Sequence, residues 1–576
     1  MQLKDSVRLT MGDWQWNAAL VGFINIVGKN NINFIDNDTI EFSPNILAGF
    51  ENKFFDYLIK TYEETLSWYK IVSFEDFYYL HVQEHFDNFD LESLKFLNNY
   101  IGNVKKYLKS NSYKAAYELI KPECNMLEIE KKLCKVKEPK NKEQFSENKA
   151  KIIYEVEKVI IILKKAIEYC ESANGKRHIA AKNIIYTIVK NAWSGVSFLN
   201  RTPTEKDVYL DYKNYFVEPA IDYLKSDDSK YKYTCFSCNC KMKDMGNDMS
   251  FLTETGFDTA RKSSHVWNFQ NDIAICPICK LIYSCLPAGM TYVYGKGLYV
   301  NANVRLIDAI QINNKIKKEI LTPEKGQMHL VYPALIKTLQ EQKNETEKYE
   351  LADIQVVRYE NETYRFSMLS RKMQEIIVNS KNDLNNIIKA TFEENNEVVR
   401  IYDAVIDRVF NSQNLFTLIH RMLYYKIANS SKCHFIGGQI NNLLCINQRI
   451  YKSFGGLKME KTLEQSEETF DLVKLANKAG YYLRKAYNDK GSDNKLPGIC
   501  YRLLNALKTG NDEIFMDVIL NCYLYINATV PKVITEVLGD DKGFSTMGYA
   551  FVAGLIDGKN SNENSGKNKG GETNEK

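Results

Sequence analysis

The stretches YTCFSC (residues 233–238) and AICPICK (274–280) each hold a Cys-x2-Cys pair. Cys235 pairs with Cys238 and Cys276 with Cys279, and 37 residues lie between the pairs. A tight turn with two thiols presents both to one tetrahedral ion, and a second such turn completes four sulfur ligands. Thiolates are soft donors, so zinc suits the set best, and four protein ligands leave no position for water. The spacing therefore predicts a structural zinc module over 231–290. The alternative is four buried free cysteines, because Cys behaves as a small hydrophobe. Cys240 and Cys285 flank the pairs as bystanders, and His265 is the substitute ligand should one cysteine fail.

The insert between the pairs, GNDMSFLTETGFDTARKSSHVWNF (246–269), is polar and holds Arg261, Lys262 and Trp267. Charge for phosphate and a flat ring for a base are what a nucleic-acid contact needs. The other reading is a loop whose aromatics pack back on the module.

On the C-terminal side, MTYVYGKGLYVNANVRLIDAI (290–310) alternates Tyr and Val around Gly295 and Gly297, which predicts strands. ELADIQVVRYENETYRFSML (350–369) reads as a second hairpin turning at Asn361. Beyond Arg371 the pattern is almost wholly helical to Gly558, with Asp512 read as the cap of EIFMDVILNCYLYI. The tail from Lys559 lacks apolar residues and is expected to be disordered.

On the N-terminal side, Asp13 is the expected N-cap of WQWNAALVGFINIV, Gly28 its stop, and Ala18 and Gly22 permit close approach of another element. NINFID and TIEFSP read as short strands. Residues 45–134 read as helices, and 135–148 as a linker or exposed loop. Two helices follow at about 149–172 and 178–199. Lys176, Arg177 and His178 stand at the turn between them, and Gly175 fits the end of the first. Such a turn can hold a phosphate through backbone amides and side-chain charge.

The fold class is therefore α+β, predominantly helical. A mainly helical body (1–230) precedes the inserted four-cysteine zinc module (231–290) and a β-containing remainder of the body (291–370). A C-terminal helical bundle (371–558) and a disordered tail (559–576) follow. At 576 residues the chain is too long for one core. Hydrophobic content of 44% and charged content of 26% are ordinary for a globular protein. Net charge is only +4, but residues 103–165 hold 16 Lys against 9 Asp or Glu. That excess suits a polyanion, or else a solvated helical face. Thirteen cysteines in so long a chain are not a secretory framework, and the polar opening MQLKDSVRLTMGDWQWN does not resemble a signal peptide. No apolar run reaches 18 residues. A reduced cytoplasmic setting without membrane contact is the expectation.

Enzyme signatures are missing: there is no P-loop, GxSxG, HExxH or dinucleotide fingerprint. Residues 539–541 (GDD) lie between helices rather than in a hairpin. His81 and His85, at i, i+4 spacing, read as ordinary helix residues. No catalytic set is assigned.

Taken together, WQWNAALVGF (14–23), CFSC…CPIC, YGKGLYVNAN (294–303), and YRLLNAL (501–507), FMDVIL (515–520) and GYAFVAGL (548–555) resemble one family. It is the large subunit of type I-B CRISPR surveillance (Cascade) complexes. The resemblance implies a non-catalytic subunit that recognises a protospacer-adjacent motif in duplex DNA, aids R-loop formation and recruits a separate helicase-nuclease. It implies crRNA-bearing backbone, processing and small subunits as partners, with guide pairing reading the target. The four cysteines match the family's zinc-binding pairs. The bundle resembles the small subunit, and Met459 is placed to start such a fragment. No family motif fixes DNA-reading residues, so chemistry supplies the candidates. Asn301, Asn303 and Arg305 suit base edges. Arg261, Lys262 and Trp267 lie on the metal-pinned loop. Lys176 and Arg177 suit phosphate, and Arg484, Lys485, Arg502 and Lys508 suit a tracked strand. Competing readings are a stand-alone zinc-containing nucleic-acid-processing enzyme and a structural scaffold with no nucleic-acid contact.

Overall fold

Helix α1 (Trp14–Val27) follows an edge strand, β1 (Val7–Thr10), in a computed structural model. The structure describes residues 6–75, 81–120, 125–253, 274–302, 305–321, 333, 335–336, 354–453, 466–537 and 541–557. The Asp13 carboxylate caps α1, accepting from the amides of Gln15 (2.8 Å) and Trp16 (2.9 Å). Gly28, at φ 85°, ends it. These are the start and stop expected from the sequence. Nearly every α1 residue is buried, so the helix is a core element rather than an amphipathic one. β1 pairs antiparallel with β3 (Thr39–Phe42), and β3 pairs with β2 (Asn33–Phe34).

The chain divides into two units, one of residues 1–331 with 355–366 and one of 332–354 with 367–576. In the first, α2 (Phe50–Tyr62) and α3 (Lys149–Glu171) frame the body. The stretch 135–148 is not simply a linker. Val136 is buried, its amide and carbonyl held by the Asn98 side chain at 2.9 and 2.8 Å, and Phe145 is buried in the helix Lys142–Glu147. After α3, a helix runs over 173–192 with two π-helical stretches and stops at Trp193, which turns extended (φ −153°). The expected end at 199 is thus too late. Gly195, at φ 76°, carries the chain away. Gly175 is helical rather than terminal; a β-carbon there would lie 2.2 Å from the Tyr169 carbonyl oxygen.

A two-strand ribbon, β4 (Tyr233–Thr234) and β5 (Lys241–Met242), precedes α4 (Pro277–Ser284) and α5 (Leu286–Gly289). A four-stranded sheet then follows in the order β6 (Thr291–Val293), β7 (Lys296–Ala302), β8 (Ile354–Glu360), β9 (Thr363–Leu369). Its hairpins turn at Tyr294-Gly295 and Asn361-Glu362, all four residues at positive φ, the geometry of tight two-residue turns. Helix α6 (Leu306–Leu321) packs on β7, where the Asn313 amide bridges the Val300 backbone.

The second unit is mainly helical but contains a sheet that the helical reading of 371–558 missed. β10 (Thr391–Glu394) pairs with β11 (Glu397–Arg400) and with β12 (Cys433–His434). Asn395 and Asn396 supply the two positive φ values of the hairpin. The longer helices of this unit are α7 (Phe416–Ala428), α8 (Gly437–Ser453), α9 (Ser466–Asp489), α10 (Leu496–Thr509), α11 (Asp512–Ile526) and α12 (Asp541–Asp557), and shorter ones include Arg371–Asn379, Lys381–Ile387 and Ile401–Phe410. Asn511, not Asp512, caps α11, accepting from the Ile514 amide at 2.8 Å. Gly480 and Gly554 let α9 and α12 touch backbone to backbone. Met459 and the tail lie outside the described residues. Among the described residues no helix is long and apolar enough to cross a membrane.

Candidate metal centre

The four cysteines come together as their spacing predicts. The Sγ atoms of Cys235, Cys238, Cys276 and Cys279 all lie within 4.8 Å of one another. The Cys238 and Cys276 sulfurs are 3.7 Å apart. A tetrahedron with Zn–S bonds of about 2.3 Å has edges of about 3.8 Å, so the cluster has the size a zinc ion requires.

Two local structures hold it. The first pair sits in the turn of the β4–β5 ribbon. There the Cys235 amide donates to the Cys240 carbonyl (2.8 Å) and the Asn239 amide to the Cys235 carbonyl (3.0 Å), with Asn239 left-handed at φ 59°. The second pair opens α4. Cys276 is the N-cap, Pro277 takes the first turn, where no amide donor is needed, and the Cys279 amide donates to the Cys276 sulfur at 3.4 Å. The Cys276 amide in turn donates to the Cys235 sulfur at 3.2 Å. Such N–H···S bonds favour thiolates and fix the ligands.

Burial keeps water out: Cys235, Cys276 and Cys279 are buried and Cys238 is half-buried. Hydrogen bonding from Cys238 holds the Cys235 thiol far below its ordinary range. Burial and the bond to Cys235 push Cys279 up, and the bond to Cys235 pushes Cys238 up. A divalent ion bound by the four sulfurs would draw the protons from the thiols. The donor set can hold a metal ion and fits zinc. Cys285 is buried elsewhere, with its thiol donating to the Leu281 carbonyl, so it stands apart from the cluster.

Helix α4 is anchored from several sides. The Tyr283 hydroxyl meets the Ser237 hydroxyl at 3.1 Å, Trp16 packs edge-on against the Tyr283 ring, and Trp193 Nε1 donates to the Ser284 carbonyl at 3.0 Å.

The other candidate residues do not gather at this centre. Arg261, Lys262, Trp267, His265 and Asn303 lie outside the described residues. Asn301 is buried, accepting from Asn17 and donating to Gln355, both at 3.1 Å, so its amide is not offered to a base edge. Arg305 is held in both directions by Asp308 at the start of α6. Lys176 and Arg177 stand in a helix rather than a turn. Lys176 lies 3.7 Å from Glu63, and Arg177 donates to Asn52 and covers the Tyr209 ring. The amides of Gly175 and Lys176 are both taken by Ser172, which removes the backbone donors a phosphate loop would use. In the second unit Arg484 donates to the Ile556 carbonyl, whereas Lys485, Arg502 and Lys508 are exposed. The exposed rings of Tyr233 and Phe236 beside the first cysteine pair were not singled out from sequence. A ring between two metal-ligand cysteines, as in Cys-Phe-Ser-Cys, was the available signal.

Residues 228–291, from the β4–β5 ribbon through α5, match the family model described as CRISPR-associated protein (Cas_CXXC_CXXC), which indicates a CRISPR-associated protein. No curated protein and no solved structure matches the chain.

Proposed function

We propose that this chain, whose four-cysteine segment matches a CRISPR-associated family model, is the non-catalytic large subunit of a type I-B crRNA-guided complex. In this reading it recognises the protospacer-adjacent motif in duplex DNA, aids R-loop opening and recruits the separate helicase-nuclease. The observation that carries the reading is the coincidence of the matched segment, 228–291, with the assembled cysteine cluster. The closed four-sulfur set gives the metal a structural role, since no ligand position is left for a reacting water. Its work is to fix the β4–β5 ribbon against α4. Exposed Lys485, Arg502 and Lys508 in the helical unit suit a tracked strand, while guide pairing reads sequence.

The test is to purify the tagged chain from its native cell, sequence copurifying RNA and identify partners by mass spectrometry. Repeat-flanked short RNAs with backbone subunits are expected. A chain that purifies without RNA and cleaves nucleic acid by itself would replace this reading with a stand-alone enzyme.

A further inference from the structure

Between the strand that opens the chain and the first cysteine pair lies a cleft of about 480 Å³. One wall is residues 8–13, including Thr10 and Asp13; the other is Phe236, Ser237, Cys238 and Asn239. The second wall is rigid, because the metal ligands and the Phe236 amide, bonded to the Ala274 carbonyl at 2.9 Å, fix its backbone. The Phe236 ring is nevertheless 55% exposed, and Tyr233 nearby is 45% exposed.

A lone exposed ring is ordinary surface. What sets this one apart is the charge around it. Between Asp228 and Asp244 stand four lysines and no acidic residue. Lys230, Lys232, Lys241 and Lys243 are all exposed, and none is in an ion pair among the described residues. In the ribbon, Tyr233 faces Met242 and Thr234 faces Lys241. One more step of that register places Lys232 opposite Lys243, on the face shared by Thr234 and Lys241. Like charges gathered on one face repel one another.

An exposed ring, Phe236, at the turn of a ribbon whose one face carries lysines brings together the two elements of single-strand recognition, stacking and phosphate neutralisation. We infer that this cleft and ribbon form a platform for unpaired nucleic acid. One base stacks on Phe236 at the cleft, while Lys232, Lys241 and Lys243 neutralise the adjoining backbone. Exposed Asn239 on the second wall supplies an amide for the edge of that base. This rests on the DNA-recognition reading and gives it a surface: a strand separated as the duplex opens. An extended peptide added along β1 is the competing occupant, but it gives the lysines no counter-charge.

The test uses the zinc-loaded full chain, with binding of fluorescent single-stranded and duplex DNA of one sequence followed across salt concentrations. Phe236→Ala should weaken single-strand binding about tenfold, the scale of one stacked base, with little change in salt dependence. Lys232→Glu with Lys241→Glu and Lys243→Glu should reduce the single-strand salt slope by about 2, at about 0.7 per lost phosphate contact. Zinc content, unchanged in each variant, excludes unfolding of the module. Variants that bind single strands as well as the parent chain, while the parent binds DNA, overturn the platform and leave the DNA-recognition reading standing. A parent chain with no salt-dependent binding to any nucleic acid overturns both. Protection of Phe236 by a protein partner, with no effect on DNA, assigns the cleft to a peptide and also overturns the platform.

Discussion

The α-carbon of Gly22 lies so close to the carbonyl of Cys285 that a β-carbon added there would sit 2.0 Å from that oxygen. The contact is reciprocal: a β-carbon on Gly289 would lie 1.7 Å from the Ala18 carbonyl oxygen. Cys285 directly follows α4, so the opening helix presses against the end of the helix that carries Cys276 and Cys279. Gly22→Ala and Gly289→Ala must each push two backbones apart. Each is expected to cost about 1–3 kcal/mol, the range for overpacking a tight interior. Urea unfolding of the variants checks this, and a cost within error of zero at both sites would show that the helices separate freely.

Metal binding should track the sulfur set and not the neighbouring thiol. Cys235→Ser removes the sulfur that receives the Cys276 amide, and is expected to reduce bound zinc from one per chain to near zero. Cys240→Ser leaves its backbone bond to the Cys235 amide intact and should leave zinc unchanged. Metal analysis of purified protein decides between them. Chelation of the zinc-loaded chain should open the β4–β5 ribbon to protease, because an ion held by all four sulfurs would join the ribbon to α4.

The quartet was legible because ligand chemistry and turn geometry are local, and Asp13 and Gly28 announced the ends of α1 for the same reason. The unseen features depend on partners distant in sequence. Asn301 reads as a base-contacting amide until Asn17, 284 residues away, and Gln355, 54 residues away, enclose it. Gly22 announced a close crossing, but nothing local named Gly289 as its partner. The hairpin at Asn395-Asn396 was obscured by helical periodicity on both sides, although consecutive Asn residues suit left-handed turns. Lys176 and Arg177 resembled a phosphate loop because sequence does not show that Ser172 has already taken the amides.

Asn301→Ala should therefore act on stability rather than on DNA choice. It strips Asn17 and Gln355 of a buried partner, and leaving such groups unsatisfied costs about 1–3 kcal/mol. A lowered unfolding midpoint with unchanged motif preference in a binding selection is the expected pair of results. An altered preference at full stability would restore a base-reading role for the residue.

Acid should loosen the first unit through His178. Burial lowers the pKa of this side chain by desolvating the imidazolium; Asp207 acts the other way, and Arg177 and Lys182 add to the lowering. The unfolded chain binds a proton near pH 6.5, whereas the folded chain resists it until lower pH. The unfolded state then holds more protons across that window. Stability from this residue is present above about pH 6.5 and falls as pH drops through the window. His178→Gln cannot take up the proton in either state. The unfolding midpoints of the parent and His178→Gln chains, compared at pH 7.5 and 5.5 with zinc present, isolate the effect from protonation of the cysteine cluster. The parent should lose more stability between the two pH values than the variant does; equal losses would mean that the imidazole is protonated without leaving the fold.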